Sequence, residues 1–264
     1  WMKGLVTRLH TRHIAYLHSP MRYVWDTFHS HPKLRSGFHF FKRLLLGYLR
    51  LWDKEAADRP DVLLVNSEYT RERVTKYYRR ESEVVYPPVT FKQNDTSPAT
   101  NPKISFLVVA RLTPAKHIDV VIEAFNKLAL PLTIVGAGPE AKRLRQLAAP
   151  NVVFVGKLDD TELLTRYKEA RALIQSSEED FGLVAAEALC LETPVIAYRP
   201  GAVREVVVEG KTGELFDDLA PESIADGVRR FIEREKEYDE SLMLATGEKF
   251  SRERFEQLIR AHVD

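Results

Sequence analysis

Two glutamates, Glu179 and Glu187, stand eight positions apart in the run EEDFGLVAAEAL at 178–189, one before and one inside the helix expected to start at Gly182. The run follows ALIQSS, which reads as a buried strand, so Glu179 falls at a strand's carboxyl end, the edge of an open α/β sheet where ligands bind. The helix start leaves the amides of Gly182, Leu183 and Val184 without intrahelical acceptors, and such amides suit an anion. Carboxylates at two heights beside that point can accept hydrogen bonds from the hydroxyls of a sugar. The same residues also have a plainer reading, in which Glu179 balances the helix dipole and Glu187 is an ordinary helix glutamate.

A second run, ARLTPAKHID at 110–119, sets Arg111 and Lys116 five positions apart around Pro114 in the loop after another strand. Two cations converging beyond the sheet edge, together with a helix N-terminus, would neutralise a departing diphosphate without a metal ion. Surface charge is the alternative for both. A third run, IVGAGPE at 134–140, ends a strand on Gly136 and Gly138. It lacks the G-x-G-x-x-G spacing and the acidic residue of a dinucleotide site, so it reads as a tight turn or a close approach of backbone to ligand. At the next strand end, VFVGKLDD, Gly156 and Lys157 stand where backbone groups could meet a nucleobase edge.

These runs need a scaffold that brings several strand ends together. From Lys103 onward, short β-branched runs alternate with longer helical periods, the pattern of βα units in a parallel sheet. Strands are expected at 104–110, 132–136, 152–155, 172–175, 194–197 and 213–216. Helices are expected at 119–128, 139–147, 160–169, 182–191, 201–208 and 221–234. This is a doubly wound α/β domain over 103–235. Ahead of it, TFKQNDTSPATNP at 90–102 reads as an exposed linker. The first part, 1–89, offers strands at 13–17 and 62–66, a basic and aromatic helical stretch at 32–57 and a helix at 68–78, enough for a partial Rossmann-like domain. A helical tail over 236–264 ends in SRERFEQLIRAH, with Ser251 as N-cap and Phe255, Leu258, Ile259 and His262 at helical spacing.

Composition narrows the classes. With 264 residues, 44% of them hydrophobic, the chain can bury an ordinary core. A net charge of +1 gives no global field for nucleic acid, which is excluded as a partner. The single Cys190 cannot close an internal disulfide and suits a reducing compartment. The apolar stretch 44–51 is interrupted by Arg50 and is too short to cross a bilayer. A cytoplasmic location is therefore expected. The mixture of cations and apolar residues at 33–54 (KLRSGFHFFKRLLLGYLRLWDK) suits either core packing on a sheet or peripheral contact with an anionic inner membrane face. The histidines have irregular spacing and give no metal site. The chain opens on Trp1 and runs at once into motif-rich sequence, which reads as an N-terminally incomplete polypeptide.

Taken in order, VNSEYTRERVTKYYRRESEVVYPPV, ARLTPAKHID, IVGAGPE, NVVFVGKLDD and EEDFGLVAAEALCLETPVIAY resemble the family 4 retaining glycosyltransferases of the GT-B fold over nearly the whole chain. The resemblance implies a nucleoside-diphosphate sugar as donor, no cofactor and no metal. It implies that Glu179 contacts the donor sugar, Glu187 the nucleotide ribose, and Arg111 and Lys116 the diphosphate, with Gly136, Gly138, Gly156, Lys157, Leu158, Phe181, Gly182, Leu183 and Val184 completing the donor pocket. His18, in HIAYLHSPMRYVWD, matches the histidine that lies beside the reacting sugar in such enzymes. That run is most similar to bacterial mannosyltransferases, which implies GDP-mannose as donor, a glycan or lipid-linked acceptor and a role in cell-envelope polysaccharide synthesis. The glycine-rich loop of the family's first domain has no counterpart, since Gly4, Gly37 and Gly47 precede the linker and none forms a pair. Catalysis by this chain, binding of a nucleotide sugar without transfer, epimerisation of a nucleotide sugar and phosphorolysis therefore stand as alternatives.

Overall fold

The computed structural model describes residues 2–26, 39–89 and 103–263, without the side chains of 2 and 39–42. The residues fall into two compact units, one of 1–87 with 255–264 and one of 88–254. The expected linker at 90–102 and the beginning of the helical stretch at 32–57 lie outside the described residues.

In the first unit, β1 (Ile14–Leu17), β2 (Val62–Val65) and β3 (Glu83–Val84) form a parallel sheet in that order, with Ile14 opposite Val62 and Leu64 opposite Glu83. A single turn of helix, α1 (Arg22–Trp25), and the helices α2 (His39–Ala57) and α3 (Glu68–Tyr78) lie between the strands. Ser67 caps α3 by accepting from the Thr70 amide, and Arg79 ends it in the left-handed conformation. Leu63, Val65, Ala57, Val74 and Tyr78 form the core of this unit. On α2, Asp53, Ala56 and Ala57 are buried, whereas Leu44, Leu45, Tyr48 and Leu51 are each more than half exposed. Packing of these four on the sheet is therefore not what the structure shows.

The second unit carries six parallel strands: β4 (Ser105–Val109), β5 (Leu132–Val135), β6 (Val152–Gly156), β7 (Ala170–Gln175), β8 (Val195–Tyr198) and β9 (Gly213–Phe216). Their spatial order is β6-β5-β4-β7-β8-β9, that of a doubly wound sheet. The crossovers run one way from β4 and the other way from β7, so the strand order reverses between these two. Helices α4 (Ile118–Leu128), α5 (Ala141–Leu147), α6 (Asp160–Glu169), α7 (Leu183–Cys190), α8 (Pro221–Arg234) and α9 (Glu240–Lys249) flank it. The α4 stripe of Ile118, Val121, Ile122 and Phe125 is buried, and Phe106 of β4 meets Phe125 and Phe231 edge-on at 5.3 and 5.8 Å.

Two expected features differ. The helix expected at 201–208 is a short 3-10 turn, Ala202–Glu205. Four of the residues 201–208 are valines, which favour helix weakly, and Gly201 enters the turn at φ 97°. The residues expected as one helical tail are divided. Asp239 caps α9, whose Gly247 packs on Cys190 of α7, and the final helix, α10 (Arg252–Val263), contributes its residues from Phe255 to the first unit. There Phe255 lies edge-on to Tyr16 and His262 reaches Glu83 at 3.6 Å.

Candidate functional site

The carboxyl ends of β4 and β7 flank the reversal of strand order, where open α/β sheets leave a crevice for ligands. After β4 the chain passes Arg111 and the buried Leu112, then makes a 3-10 turn, Pro114–Lys116. His117 follows with φ 50°, an uncommon conformation for a residue other than glycine. After β7 come Ser176, Ser177 and Glu179. Ser176 Oγ donates to Lys116 O at 2.7 Å and so ties the two loops together. Across the same gap Lys116 Nζ forms a close ion pair with Glu179 Oε1, the atom to which Ser177 Oγ also donates at 2.6 Å. Both side chains remain partly exposed, so the pair faces the crevice rather than the core.

The segment around Glu179 is held from a second side. Its carbonyl accepts from Ala202 N at 2.9 Å, and Gly201 pairs with it in an isolated bridge. A Cβ at Gly201 would stand 2.6 Å from that carbonyl oxygen, so glycine is required there. Gly182 then adopts φ 89° and starts α7 without a side-chain cap. The first bonds back to Gly182 O come from Ala185 and Ala186, which leaves the amides of Leu183 and Val184 with no carbonyl acceptor among the described residues. Those amides, the partial positive charge of the helix start and Lys116 together make an anion-binding edge.

Gly136 and Gly138 have a packing role that the sequence reading had left open. Cβ atoms there would stand 1.9 Å from Ala110 O and 2.2 Å from Leu112 O. The close approach is therefore between the β5 turn and the β4 loop, sealed by Leu112 N donating to Ala137 O and Glu140 N to Leu112 O. Gly156 has φ 82° and open space where its Cβ would be, with Lys157 exposed and Leu158 half-buried beside it. Arg111 is exposed and Phe181 is buried edge-on against Phe250 at 5.1 Å. His18 belongs to the first unit, exposed just after β1 with its ring edge-on to Tyr16 at 5.0 Å. No cluster of three or more His, Cys, Asp or Glu arranged to hold a metal occurs among the described residues.

Glu187, about one turn into α7 in the helix that begins at the crevice, accepts from the buried Tyr167 hydroxyl at 2.8 Å. Burial pushes its carboxyl above the ordinary glutamate value, an effect that the Tyr167 hydroxyl opposes. Because the folded-state value is raised, the folded protein holds the proton more tightly than the unfolded chain, and stability falls as pH rises between the two values. Glu187→Gln is therefore expected to unfold at higher temperature than the parent at pH 7, with the gap closing as the pH drops below the ordinary glutamate value. Melting temperatures across about pH 4–8 check this; a constant gap would show that the carboxyl is not penalised by burial.

The sequence reading missed Ser176, Ser177 and Gly201, which hold the two loops in place. Their signals were the paired hydroxyls at the end of ALIQSS and the Pro-Gly after β8.

Residues 90–243, more than half of the chain, match the family model described as glycosyl transferases group 1. The chain belongs to this family. Among curated relatives, a D-inositol 3-phosphate glycosyltransferase of Nocardioides is 30% identical over 223 residues, covering 69% of this chain and 48% of that protein. A GDP-mannose-dependent alpha-mannosyltransferase of Mycobacterium tuberculosis is 36% identical over 135 residues, covering 49% of this chain and 35% of that protein. The chain thus spans about half or less of the length of these relatives. A solved structure of Anabaena Alr3699/HepE in complex with UDP aligns at a TM-score of 0.77 and 19% identity over 95% of this chain and 71% of that one. The two parallel α/β sheets and this likeness bear out the GT-B type of fold expected from the sequence.

Proposed function

We propose that this group 1 glycosyltransferase chain binds a nucleoside-diphosphate sugar at the crevice between β4 and β7 and serves a retaining hexosyl transfer. The observation that carries the reading is the Lys116–Glu179 ion pair, set across the reversal of strand order beside the uncapped start of α7. A lysine held on a neighbouring carboxylate at a crevice can turn, with that carboxylate, to an incoming ligand. Lys116 and Arg111 then face the diphosphate, and Glu179 accepts from the sugar's hydroxyls. Glu187 serves the ribose, with the amides of Leu183 and Val184 on the phosphate. Gly136, Gly138 and Gly156 with Lys157 and Leu158 shape the far wall, and Phe181 supports the turn into Gly182. Charge neutralisation by these groups takes the place of a metal ion or cofactor.

In the transfer, the bond from the anomeric carbon to the diphosphate oxygen breaks as the bond to the acceptor oxygen forms on the same face. The acceptor's proton passes to the departing diphosphate, and the role we give His18, beside the reacting sugar, rests on the family resemblance of HIAYLHSPMRYVWD. The donor we favour is GDP-mannose, supported by the HSPMRYVWD run and by the 36% identical relative named for that donor. A glycan or lipid-linked acceptor of the cell envelope is the matching partner. Calorimetric titration with GDP, UDP and ADP tests the donor site, and GDP is expected to bind most tightly. Absence of binding by all three at millimolar concentration overturns the reading; epimerised donor without transfer would replace it with the epimerase alternative.

No described helix is long and apolar enough to cross a membrane. The exposed stripe of Leu44, Leu45, Tyr48 and Leu51, with the exposed Arg43 beside it, supports a second proposal, peripheral contact with anionic lipid. Binding to anionic vesicles at low salt, lost at high salt and in a Leu45→Gln/Tyr48→Gln variant, is the expected result. Failure of the parent to co-sediment at low salt contradicts it.

A further inference from the structure

Gln175 is the last residue of β7, and its side chain is the outlier of the crevice. It is 7% exposed, and both Oε1 and Nε2 are buried without a hydrogen-bond partner among the described residues. Its neighbours are satisfied: Ser176 donates to Lys116 O and Ser177 to Glu179. A buried carboxamide with neither end bonded opposes folding, whereas an apolar side chain of similar shape would fill the same space without that penalty. Such groups in an otherwise satisfied neighbourhood call for a partner that arrives later, a ligand or a water.

The position of the carboxamide says which. A Cβ on Gly182 would stand 3.6 Å from Nε2 and 3.8 Å from Oε1, so the amide lies directly against the residue that starts α7. Gly182 is held left-handed at φ 89°, and the unaccepted amides of Leu183 and Val184 follow it. A side-chain donor at the strand end thus lies against the turn from which the two backbone donors of the helix start follow.

We infer that Gln175 is a further donor-site residue, whose carboxamide gains its partner when a nucleoside diphosphate occupies the start of α7. Nε2 donates toward the diphosphate through one buried water under the Gly182 turn, and Oε1 accepts from that water's network. The inference rests on the donor-site reading above, and it adds a residue that trades stability of the empty protein for affinity.

The test compares the full chain with Gln175→Met, which fills the space without polar atoms, and Gln175→Glu, which keeps the shape but turns a charge toward the diphosphate. GDP and UDP are titrated calorimetrically and the empty proteins are melted. Gln175→Met is expected to melt about 2–4 °C higher than the parent and to bind nucleotide roughly tenfold more weakly. Gln175→Glu is expected to lose at least as much affinity. Unchanged affinity in both variants overturns the inference, as does a loss of affinity in Gln175→Met that comes with a lower melting temperature, which marks a core residue. If the parent binds neither nucleotide, the donor-site reading fails as well. If the parent binds, Lys116→Ala does not and the Gln175 variants bind like the parent, the inference alone fails.

Discussion

Replacing Lys116 with alanine is expected to weaken nucleoside diphosphate binding about ten- to a hundredfold, or about 1.5–3 kcal/mol. Two effects add. The variant loses a charge-assisted bond to phosphate, one of the stronger kinds. It also leaves Glu179, whose Oε1 the lysine otherwise holds, as an unbalanced negative charge facing the diphosphate. Folding should change less than binding, because both side chains keep contact with solvent and Ser177 Oγ still donates to Glu179 after the lysine is removed. Adding Glu179→Gln to Lys116→Ala should restore part of the affinity for nucleoside diphosphate, since the repulsive charge is gone; this non-additivity is what separates a shared site from two surface charges. Equal affinity of Lys116→Ala and the parent would reduce the lysine to surface charge.

The second large effect is on the scaffold. Gly136→Ala is expected to cost about 2–4 kcal/mol of unfolding free energy. The new Cβ would stand 1.9 Å from Ala110 O, a backbone atom that cannot swing aside, and φ 137° lies outside the range L side chains adopt readily. Ala110 is also fixed by its amide, which donates to Val135 O at 3.1 Å. Gly156→Ala is the control: it too has a positive φ, 82°, but no atom within 4 Å of the new Cβ, so about 1–2 kcal/mol is expected. Denaturant unfolding of the two variants measures the difference. Equal losses would mean that the β5 turn and the β4 loop do not approach as closely as described.

Much of this scaffold is legible in the residues. The strands of the second unit read as short apolar runs because parallel strands are buried on both faces, and their parallel direction follows from alternation with helices. The two glutamates flanking Gly182 and the two cations of ARLTPAKHID mark the loops at the reversal of strand order. Less visible was everything that depends on one loop meeting another. The valines of 202–208 carry a helix-like spacing, yet they fill core positions around a 3-10 turn, with Val203, Val206 and Val207 buried. The two-residue β3 is too short to leave a periodic trace. Gln175 and Ser176 read as the polar end of a strand, while their significance lies in what stands across from them: Lys116 O for the serine, and Gly182 for the glutamine. For Gly136 and Gly138 the residues left a tight turn and an approach to ligand both open, because the close contact with Ala110 O and Leu112 O comes from a loop distant in sequence.

The most direct test of the donor crevice is an amide NMR titration of the full chain with GDP and with UDP. The account predicts that the resonances of Gly182, Leu183 and Val184 shift first and furthest, joined by those of Arg111, Lys116 and Glu179. Shifts confined to other surfaces, or no shift in this group at saturating nucleotide, would contradict it.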